Sequence, residues 1–314
     1  MKKEKRKNNS MVPYRVYSEF LKDKFGEKVY KLPVNLNGTC PNRDGSKAYG
    51  GCIFCGESGG SFENKDGDIR RQLELSKITI EKKYKAKKFI AYFQNYTSTY
   101  EDLDKFKSYV EEAKIEGVVG FSFSTRPDCL GDDFLDYFQD LSKDYFVTLE
   151  VGLQTVNYKS LKLLNRGHGL SDFIDSSIRA KKRNLRLCVH MILDLPWDDM
   201  DDVVEGARIL SALSIDEVKL HSLYVVKGTR LANLYDKGEV KLLDVKTYKE
   251  RVINFLLNLD QNIVVQRLVG RAPQEDTIIA NYNTSWWKIR DDIINEMYLK
   301  GLSQGQLRKG GKNG

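Results

Sequence analysis

Short apolar segments alternate along most of the chain with longer segments whose apolar residues recur at helical spacing. The short segments predict buried strands, and the longer ones predict helices that connect parallel neighbours. The predicted strands are Val29–Asn35, Lys88–Gln94, Gly117–Ser124, Tyr145–Val151, Leu185–Leu193 and Glu217–Tyr224. The predicted helices are Ile69–Lys87, Asp102–Glu116, Asp132–Ser142, Leu170–Arg183 and Asp199–Leu213.

This order of elements predicts an α/β fold with a parallel sheet, because strands flanked by helices are buried on both faces. An open doubly wound sheet and a barrel both fit the pattern. In either architecture ligands bind at the carboxyl ends of the strands. Candidate chemistry is therefore expected in the loops that follow the predicted strands.

The composition is typical of a soluble globular protein, with 41% hydrophobic and 30% charged residues. No segment approaches the roughly 20 apolar residues of a membrane span, and no apolar segment of a secretory signal follows the basic N-terminus. We therefore expect a cytoplasmic protein with no membrane partner. The cysteines number five, an odd count that argues against a disulfide framework.

The net charge of +7 belongs to the two ends of the chain, since residues 1–10 contribute +4, residues 308–314 contribute +3, and residues 11–307 balance. This distribution excludes a uniformly basic surface that coats nucleic acid. Residues 1–12 and 308–314 are predicted to be disordered basic tails. Two inner basic clusters, at 82–88 and 179–186, fall at the ends of predicted helices, where cations complement the helix dipole.

Three cysteines follow the first predicted strand at the spacing C-x11-C-x2-C, namely Cys40, Cys52 and Cys55. Three thiolates on one glycine-rich loop can hold three corners of a metal site. Structural zinc needs a fourth protein ligand, which would have to come from a distant cysteine or histidine. A [4Fe–4S] cluster is held by thiolates, and three of them leave one iron open for a small molecule. The absence of a local fourth cysteine favours the open cluster, with a zinc-stapled loop as the alternative.

The loop residues resemble those of the radical S-adenosylmethionine (SAM) superfamily, and of its YhcC/YtqA-like family in particular. Residues 37–45 read Asn-Gly-Thr-Cys-Pro-Asn-Arg-Asp-Gly, and residues 50–55 read Gly-Gly-Cys-Ile-Phe-Cys. The superfamily more often has three residues in the first gap. Further similar segments are Tyr92–Tyr96, Ser124–Pro127, Leu153–Thr155, Asn165–His168, Lys219–Leu223 and Arg267–Pro273. Where related enzymes often have Gly-Leu-Pro-Gly, residues 194–197 of this chain read Asp-Leu-Pro-Trp.

The resemblance implies a partial (β/α)6 TIM-type barrel of the radical SAM kind over residues 13–260. A C-terminal extension over residues 261–307 would close its open side. The implied cofactors are a [4Fe–4S] cluster, ligated by Cys40, Cys52 and Cys55, and SAM. Reduction of the cluster cleaves SAM to a 5′-deoxyadenosyl radical, so an electron donor such as flavodoxin or ferredoxin is an implied partner.

The resemblance also implies residues around SAM. Gln94 and Asn95 would meet its amino group, and Ser124 the ribose or the amino group. Gln154 and Arg166 would meet the ribose and the methionine carboxylate, for which the planar guanidinium is well suited. The full set of candidate cofactor-binding residues is Phe54, Gln94, Asn95, Ser124, Gln154, Arg166 and His190. The structural alternative for Gln94 and Asn95 is a turn after a strand, and that for Ser124 is a helix cap. The alternative for Arg166 is a surface ion pair, and that for His190 is a core position.

Several other polar or aromatic residues stay open between a pocket role and a structural role. These are Glu150, His190, His221, Arg267 and Arg271. For Trp286 and Trp287 we favour core packing. Cys129 and Cys188 lie outside the loop and are interpreted as ordinary buried cysteines.

Within the family, a resemblance to the MnmL group implies tRNA as partner. The implied reaction is conversion of 5-carboxymethylaminomethyluridine to 5-aminomethyluridine at the wobble position. One alternative is a radical SAM enzyme that acts on a small molecule or a protein side chain. Another is a zinc-stapled, non-catalytic binding module. No catalytic residue is assigned from the sequence.

Overall fold

Seven parallel strands form one curled sheet in the computed structural model, which describes residues 12–36, 38–56, 67–270 and 277–308. The strands are β1 (Val29–Val34), β2 (Lys88–Phe93), β3 (Val118–Thr125), β4 (Phe146–Gln154), β5 (Arg186–Ile192), β6 (Glu217–His221), β7 (Val225–Val226), β8 (Val264–Arg267) and β9 (Thr277–Ile279). The order in the main sheet is β1-β2-β3-β4-β5-β6-β8, and all its pairs are parallel. β7 and β9 form a separate antiparallel pair.

The helices are α1 (Tyr17–Phe25), α2 (Ile69–Tyr84), α3 (Leu103–Glu112), α4 (Asp132–Leu141), α5 (Tyr158–Leu163), α6 (Leu170–Lys182), α7 (Met200–Ala212), α8 (Arg230–Asp236), α9 (Val245–Asn258) and α10 (Trp286–Leu299). Many of them begin at a residue whose side chain accepts a backbone N–H of the first turn. Asp68 begins α2 in this way, Asp102 begins α3, and Asp199 begins α7. No helix in the described ranges is long and apolar enough to cross a bilayer.

The predicted α/β fold and partial barrel are confirmed, and all six predicted strands are present. The fourth strand extends three residues past its predicted end, to Gln154. The seventh strand of the sheet, β8, was not predicted, because its sequence Val-Val-Gln-Arg has only two apolar residues. β8 lies beside β6 at the edge of the sheet.

The two faces of the sheet are both buried but differ in chemistry. The outer face is apolar and packs against the helices in one large core, to which Phe93, Phe123 and Leu149 belong. The inner face carries polar side chains such as Glu150 and Lys219, which are also buried. An ordinary barrel fills its interior with branched apolar residues. A polar interior instead indicates a site.

α1 covers the inner face near the amino ends of the strands. Leu21 of this helix forms a small apolar cluster with Ile90 of β2 and Phe146 of β4. Just before the helix, Val16 forms a parallel bridge with Val265 of β8. Lys31 of β1 donates to Gln266 of β8 at 3.0 Å, which joins the two edge strands of the sheet. These contacts close the barrel at its amino end.

The predicted basic tails lie outside the described residues, except for Val12 and Arg308. The second inner basic cluster does occupy the end of a helix, as predicted. Arg179 pairs with Asp175 at 2.8 Å, and Arg183 pairs with Asp136 at 2.6 Å. Because these guanidinium groups are neutralised by nearby carboxylates, they provide little free positive surface.

Candidate functional site

The cysteine loop occupies the carboxyl side of β1. Cys52 is 7% exposed, Cys40 and Cys55 are partly buried, and all are free thiols. A turn in the loop uses Gly50 and Gly51, both at φ 75°, a conformation that glycine adopts readily. The backbone N–H of Ile53 donates to the Leu164 carbonyl at 3.1 Å, which fastens the loop to the end of α5.

Each loop sulfur has an N–H donor next to it. Arg166 Nη1 lies 3.1 Å from Cys52 Sγ. Arg43 Nη2 lies 3.5 Å from Cys55 Sγ, and Arg126 Nη1 lies 4.0 Å from Cys40 Sγ. Cationic donors stabilise thiolates, and hydrogen bonds to the sulfurs tune iron–sulfur clusters. The donor set therefore fits three thiolate ligands of a cluster.

Cys129 and Cys188 differ from the loop cysteines in their hydrogen bonding. Burial raises the pKa of the loop thiol of Cys55 as well, but there the Arg43 guanidinium opposes the rise. Burial raises the pKa of the Cys129 thiol to about 12, and burial raises that of Cys188 well above its ordinary value. Neither sulfur has a hydrogen-bond donor among the described residues. These two cysteines are suited to stay protonated, as expected of structural cysteines.

The spacing of the three loop sulfurs bears on the choice of metal. Ligand atoms within 4.8 Å of one another occur in Glu150, Cys188 and His190, but the sulfurs of Cys40, Cys52 and Cys55 do not form such a group. A tetrahedral zinc shell places its sulfurs about 3.8 Å apart, given Zn–S bonds of about 2.3 Å. The three loop sulfurs are therefore not arranged as the shell of a single zinc ion in this structure.

The group formed by Glu150, Cys188 and His190 is a poor cation site, although its atoms are close enough. The carboxylate of Glu150 already accepts bonds from the ammonium groups of Lys31 and Lys219. A metal ion there would meet two positive charges at short range. The arrangement is a buried ion-pair network.

Four of the residues predicted to surround SAM lie at the carboxyl ends of strands, namely Gln94, Asn95, Ser124 and Gln154. His190 lies within β5, and Arg166 lies in the loop after α5. Asn95 follows β2; its Nδ2 donates to the Leu36 carbonyl at 3.1 Å, while its buried Oδ1 has no partner within the described ranges. Ser124 of β3 donates to the Tyr92 hydroxyl at 3.1 Å. Gln154 ends β4 at φ 77°. The unpaired Asn95 oxygen is suited to accept from an ammonium group.

Arg166 is held between the cysteine loop and β4. Besides Cys52, its Nη2 donates to the Gly152 carbonyl at 2.7 Å and lies 3.0 Å from His168 Nε2. Its Nε is buried and has no partner among the residues that the structure describes. The surface ion pair considered as an alternative is wrong, because Arg166 is only 7% exposed and pairs with no described carboxylate. A side chain at Gly152 would lie 3.2 Å from Nη2, so the glycine leaves room for the guanidinium.

Phe54 anchors the cysteine loop from its apolar side. It packs against a second core cluster, which includes Ile192 at the end of β5, Leu223 and Val225 of β7. The loop is therefore fixed to both β5 and β7. This contact explains a phenylalanine next to Cys55 without assigning it a direct contact with a cofactor.

The inner-face network centres on Glu150, which is fully buried. Its Oε1 accepts from Lys31 and from Ser122 at 2.7 Å, and its Oε2 accepts from Lys219 at 2.8 Å and from His190 at 2.7 Å. Burial opposes ionisation, but the two lysines hold the pKa of Glu150 well below its ordinary value. Glu150 is thus a structural ion-pair residue that also lines the barrel interior.

The histidines of the interior are neutral at neutral pH. Burial, aided by Lys219, lowers the pKa of His190 to about 4. Burial, aided by Arg267, lowers the pKa of His221 well below its ordinary value. The two rings lie 5.1 Å apart. His168 behaves similarly, since burial and Arg166 lower its pKa to about 3.

These three histidines predict that acid destabilises the protein. Unfolded histidines take up protons below pH ~6.5, whereas the folded ones do not until pH is near 4 or lower. The unfolded state therefore binds more protons between these limits, and the free energy of unfolding should fall by about 1.4 kcal/mol per pH unit per net proton as pH falls. Burial raises the pKa of Asp194 to about 6, above its value in the unfolded chain. The folded state therefore takes up about one proton at this carboxyl, which offsets part of the fall in the free energy of unfolding.

The measurement is urea unfolding, followed by circular dichroism, at several pH values from 7.5 to 4.5. The matched variant His190→Asn should flatten the pH dependence relative to the wild-type chain. A free energy of unfolding that stays constant or rises on acidification would contradict the neutral histidines.

Asp194, which departs from the related glycine, ties the loop after β5 to the C-terminal segment. It accepts from the Leu223 backbone N–H at 2.7 Å and from the Tyr282 hydroxyl. Tyr282 lies in a turn of three left-handed residues, Asn281 to Asn283. The departure therefore provides a carboxylate that fixes this turn.

The two tryptophans that were expected to pack in the core lie partly at the surface. That prediction is wrong, because Trp286 is 39% and Trp287 is 51% exposed. They begin α10, whose buried side is formed by other residues, including Ile293.

Arg271 lies outside the described residues. Arg43 and Arg126, which approach the sulfurs, were not singled out, although both lie within the similar segments.

Comparisons with known proteins identify the family of this chain. The family model of the Radical SAM superfamily matches residues 35–210, and that of the Radical_SAM C-terminal domain matches residues 215–298. Protein YtqA of Bacillus subtilis is 33% identical over 303 residues, which are 96% of this chain and 94% of YtqA. A shorter region, 42% of this chain, is 25% identical to 24% of the tRNA uridine(34) acetyltransferase of Methanocaldococcus jannaschii.

A solved structure with the same fold is archaeal Elp3 of Methanocaldococcus infernus, with a TM-score of 0.68 at 16% identity, covering 88% of this chain and 64% of that chain. At this identity the likeness concerns the fold. The superfamily model covers more than half of the chain, and YtqA is similar over nearly its whole length. The chain therefore belongs to the radical SAM superfamily, whose members use a [4Fe–4S] cluster and SAM.

Proposed function

We propose that this radical SAM enzyme converts 5-carboxymethylaminomethyluridine to 5-aminomethyluridine at the wobble position of tRNA. The enzyme class follows from the superfamily. The observation that carries the chemistry is the cysteine loop, with an N–H donor beside each sulfur. The similarity of part of the chain to an enzyme named for uridine 34 of tRNA, together with the resemblance to the MnmL group, supports the substrate.

In this proposal Cys40, Cys52 and Cys55 ligate the cluster. When bound, the reduced cluster provides the electron that cleaves SAM to methionine and a 5′-deoxyadenosyl radical. Arg166 and Asn42 donate to Cys52, at 3.1 and 3.6 Å, and hold that ligand in place. Such donors also lower the energy of the charged thiolate.

Residues at the carboxyl ends of the strands bind SAM in this proposal. The unpaired Oδ1 of Asn95 accepts from the methionine ammonium. Gln94, Ser124, Gln154 and His190 complete the site. Phe54 keeps the loop against β5 and limits water near the reaction. The bound cofactors would supply hydrogen abstraction from the substrate carbon between the amine and the carboxylate. Return of one electron from that carbon radical to the oxidised cluster would give an imine, and its hydrolysis by water would leave the aminomethyl group and release the two carbons as glyoxylate.

The proposed partners are tRNA and a one-electron donor such as flavodoxin or ferredoxin, in the cytoplasm. The body of the chain is neutral, whereas residues 1–10 and 308–314 carry +4 and +3. We propose that these ends make salt-dependent contacts with phosphates. Residues 261–307 are proposed to act as the extension that closes the barrel.

Deletion of the gene tests the substrate. Nucleoside mass spectrometry of tRNA from the deletion strain should show accumulated 5-carboxymethylaminomethyluridine and loss of nucleosides derived from 5-aminomethyluridine. The wild-type gene should restore the profile, and a gene encoding Cys52→Ala should not. An unchanged profile would remove tRNA as the substrate.

Two other functions predict different results. A radical SAM enzyme for a small molecule or a protein side chain would leave the tRNA profile unchanged but would still form 5′-deoxyadenosine when reduced. A zinc-stapled binding module would hold one zinc and form none. The spacing of the loop sulfurs weighs against the zinc module.

A further inference from the structure

Among the described residues, the middle of the barrel's inner face holds more positive than negative charge. Lys31 and Lys219 both donate to the carboxylate of Glu150, and Arg267, which lies against the ring of His221, contributes a third cation. Both oxygens of Glu150 are already engaged by four donors. Because His190 and His221 are neutral, the surplus over these groups is two positive charges. Buried charge without a counter-ion is costly.

The excess of positive charge concerns one part of the barrel interior. Nearer the amino end of the strands, Arg186 of β5 pairs with Glu217 of β6 at 2.9 Å. Lys181 pairs with Asp216 at 2.8 Å. Beside the cysteine loop, Arg126 pairs with Asp128 at 2.9 Å. These three cations have carboxylates, and Arg166 and Arg43 beside the loop face the sulfurs of Cys52 and Cys55 instead. The positive charge left over is that of one of the two lysines that share Glu150, in the middle of the inner face, and that of Arg267, at the carboxyl end of β8.

Two of the three cations have hydrogen-bonding capacity to spare. Lys219 and Arg267 are backbone partners on β6 and β8. The Lys219 ammonium donates to Glu150 and to the Tyr92 hydroxyl at 2.9 Å, which uses two of its three protons. Arg267 Nη2 lies 2.7 Å from His221 Nδ1, and its buried Nε has no described partner. Within the described ranges, Arg267 pairs with no carboxylate.

Solvent reaches this part of the barrel. The side chains of Lys219 and His190 keep 10% and 15% exposure, although α1 covers the amino end. A small anion entering from the carboxyl side would meet the ammonium and the guanidinium together. Arg is suited to this, because its planar fork binds both oxygens of a carboxylate.

We infer that Lys219 and Arg267 bind a carboxylate of the substrate inside the barrel. This inference rests on the proposed function, whose substrate carries a carboxylate on the group that is removed. The carboxylate balances the surplus charge, and binding it places the neighbouring carbon inside the barrel. A substrate without the carboxylate leaves the two cations unpaired and is rejected.

The methionine carboxylate of SAM is the other source of such an anion, so the experiment has separate arms. The first arm measures binding of anticodon stem-loop RNA to the cluster-loaded, SAM-bound enzyme. RNA with 5-carboxymethylaminomethyluridine should bind about tenfold or more tightly than RNA with 5-methylaminomethyluridine, which lacks only the carboxylate. Lys219→Met and Arg267→Gln should each remove most of this preference. The affinity for SAM should change less than about twofold.

A second arm does not depend on RNA. N-methylglycine labelled with 13C in its carboxylate is titrated into the SAM-bound enzyme, so that the open iron is already occupied. Its NMR signal should shift or broaden with the wild-type enzyme, and this effect should be lost in Lys219→Met. Circular dichroism checks that the variant is folded, which we expect because Glu150 keeps Lys31 and His190.

The outcomes separate this inference from the proposed function. Equal binding of both RNAs by the wild-type enzyme would overturn the inference while leaving tRNA as substrate. A tenfold loss of SAM affinity in either variant, with the RNA preference intact, would assign the cations to SAM and also overturn it. If neither RNA binds, the proposed function fails, and the N-methylglycine signal alone decides for or against the carboxylate site.

Discussion

Replacing Cys52 by alanine should reduce the iron content from about four per chain to a small fraction and bring reductant-dependent 5′-deoxyadenosine to background. Cys52 is the most buried loop cysteine, and its sulfur accepts from both Arg166 and Asn42. The change removes one thiolate of the three and leaves the Arg166 guanidinium buried without its acceptor. Neither water nor a neighbouring side chain replaces a thiolate on iron.

The measurement is anaerobic reconstitution followed by iron and sulfide analysis, with 5′-deoxyadenosine quantified by chromatography. Cys129→Ala is the matched control, because Cys129 is a partly buried thiol outside the loop. It should keep its iron and its activity within about twofold of the wild-type enzyme. A Cys52→Ala protein that retains four irons would contradict the assignment of the ligands. One tightly bound zinc in the wild-type protein would support the binding module instead.

The parallel sheet was predictable from the sequence because its strands are short, apolar and separated by segments with helical spacing. The cysteine loop was also predictable, since its position after the first strand follows from the rule for carboxyl ends. Asn95 and Arg166 stay predictions as cofactor-binding residues. The structure adds that Asn95 Oδ1 has no partner among the described residues and that Arg166 Nη2 donates to the Gly152 carbonyl.

The interior network could not be predicted, because it joins residues far apart in the chain. Lys31 and Glu150 are 119 positions apart, and Lys219 lies a further 69 positions beyond Glu150. Each of them is a polar residue between two apolar neighbours in its strand, so each resembles an isolated exception. Only the register of the sheet shows that these exceptions share one face. β8 was missed for a related reason, since half of its four residues are polar.

The Glu150 network leads to the prediction with the largest expected effect on stability. Glu150→Gln should lower the free energy of unfolding by about 3–5 kcal/mol, because it leaves two cations buried without their counter-ion. The side chains of Lys31 and Lys219 are 17% and 10% exposed, and that of Glu150 is fully buried. The amide has the shape of the carboxylate, so no cavity forms. Its NH2 group faces two of the four donors and cannot accept from them, so the loss measures both the charge and two hydrogen bonds. Chemical denaturation of the variant and the wild-type protein gives the difference.

Glu116→Gln is the matched control, because Glu116 is 97% exposed and lies 3.8 Å from Lys77. Its effect should stay below about 0.5 kcal/mol. The second comparison removes a cation together with the anion. Glu150→Gln combined with Lys219→Met should recover about 1–2 kcal/mol relative to Glu150→Gln alone, since fewer buried charges are left unpaired. If the double variant is less stable than the single one, Lys219 contributes mainly through packing, and the surplus of positive charge is not what Glu150 offsets.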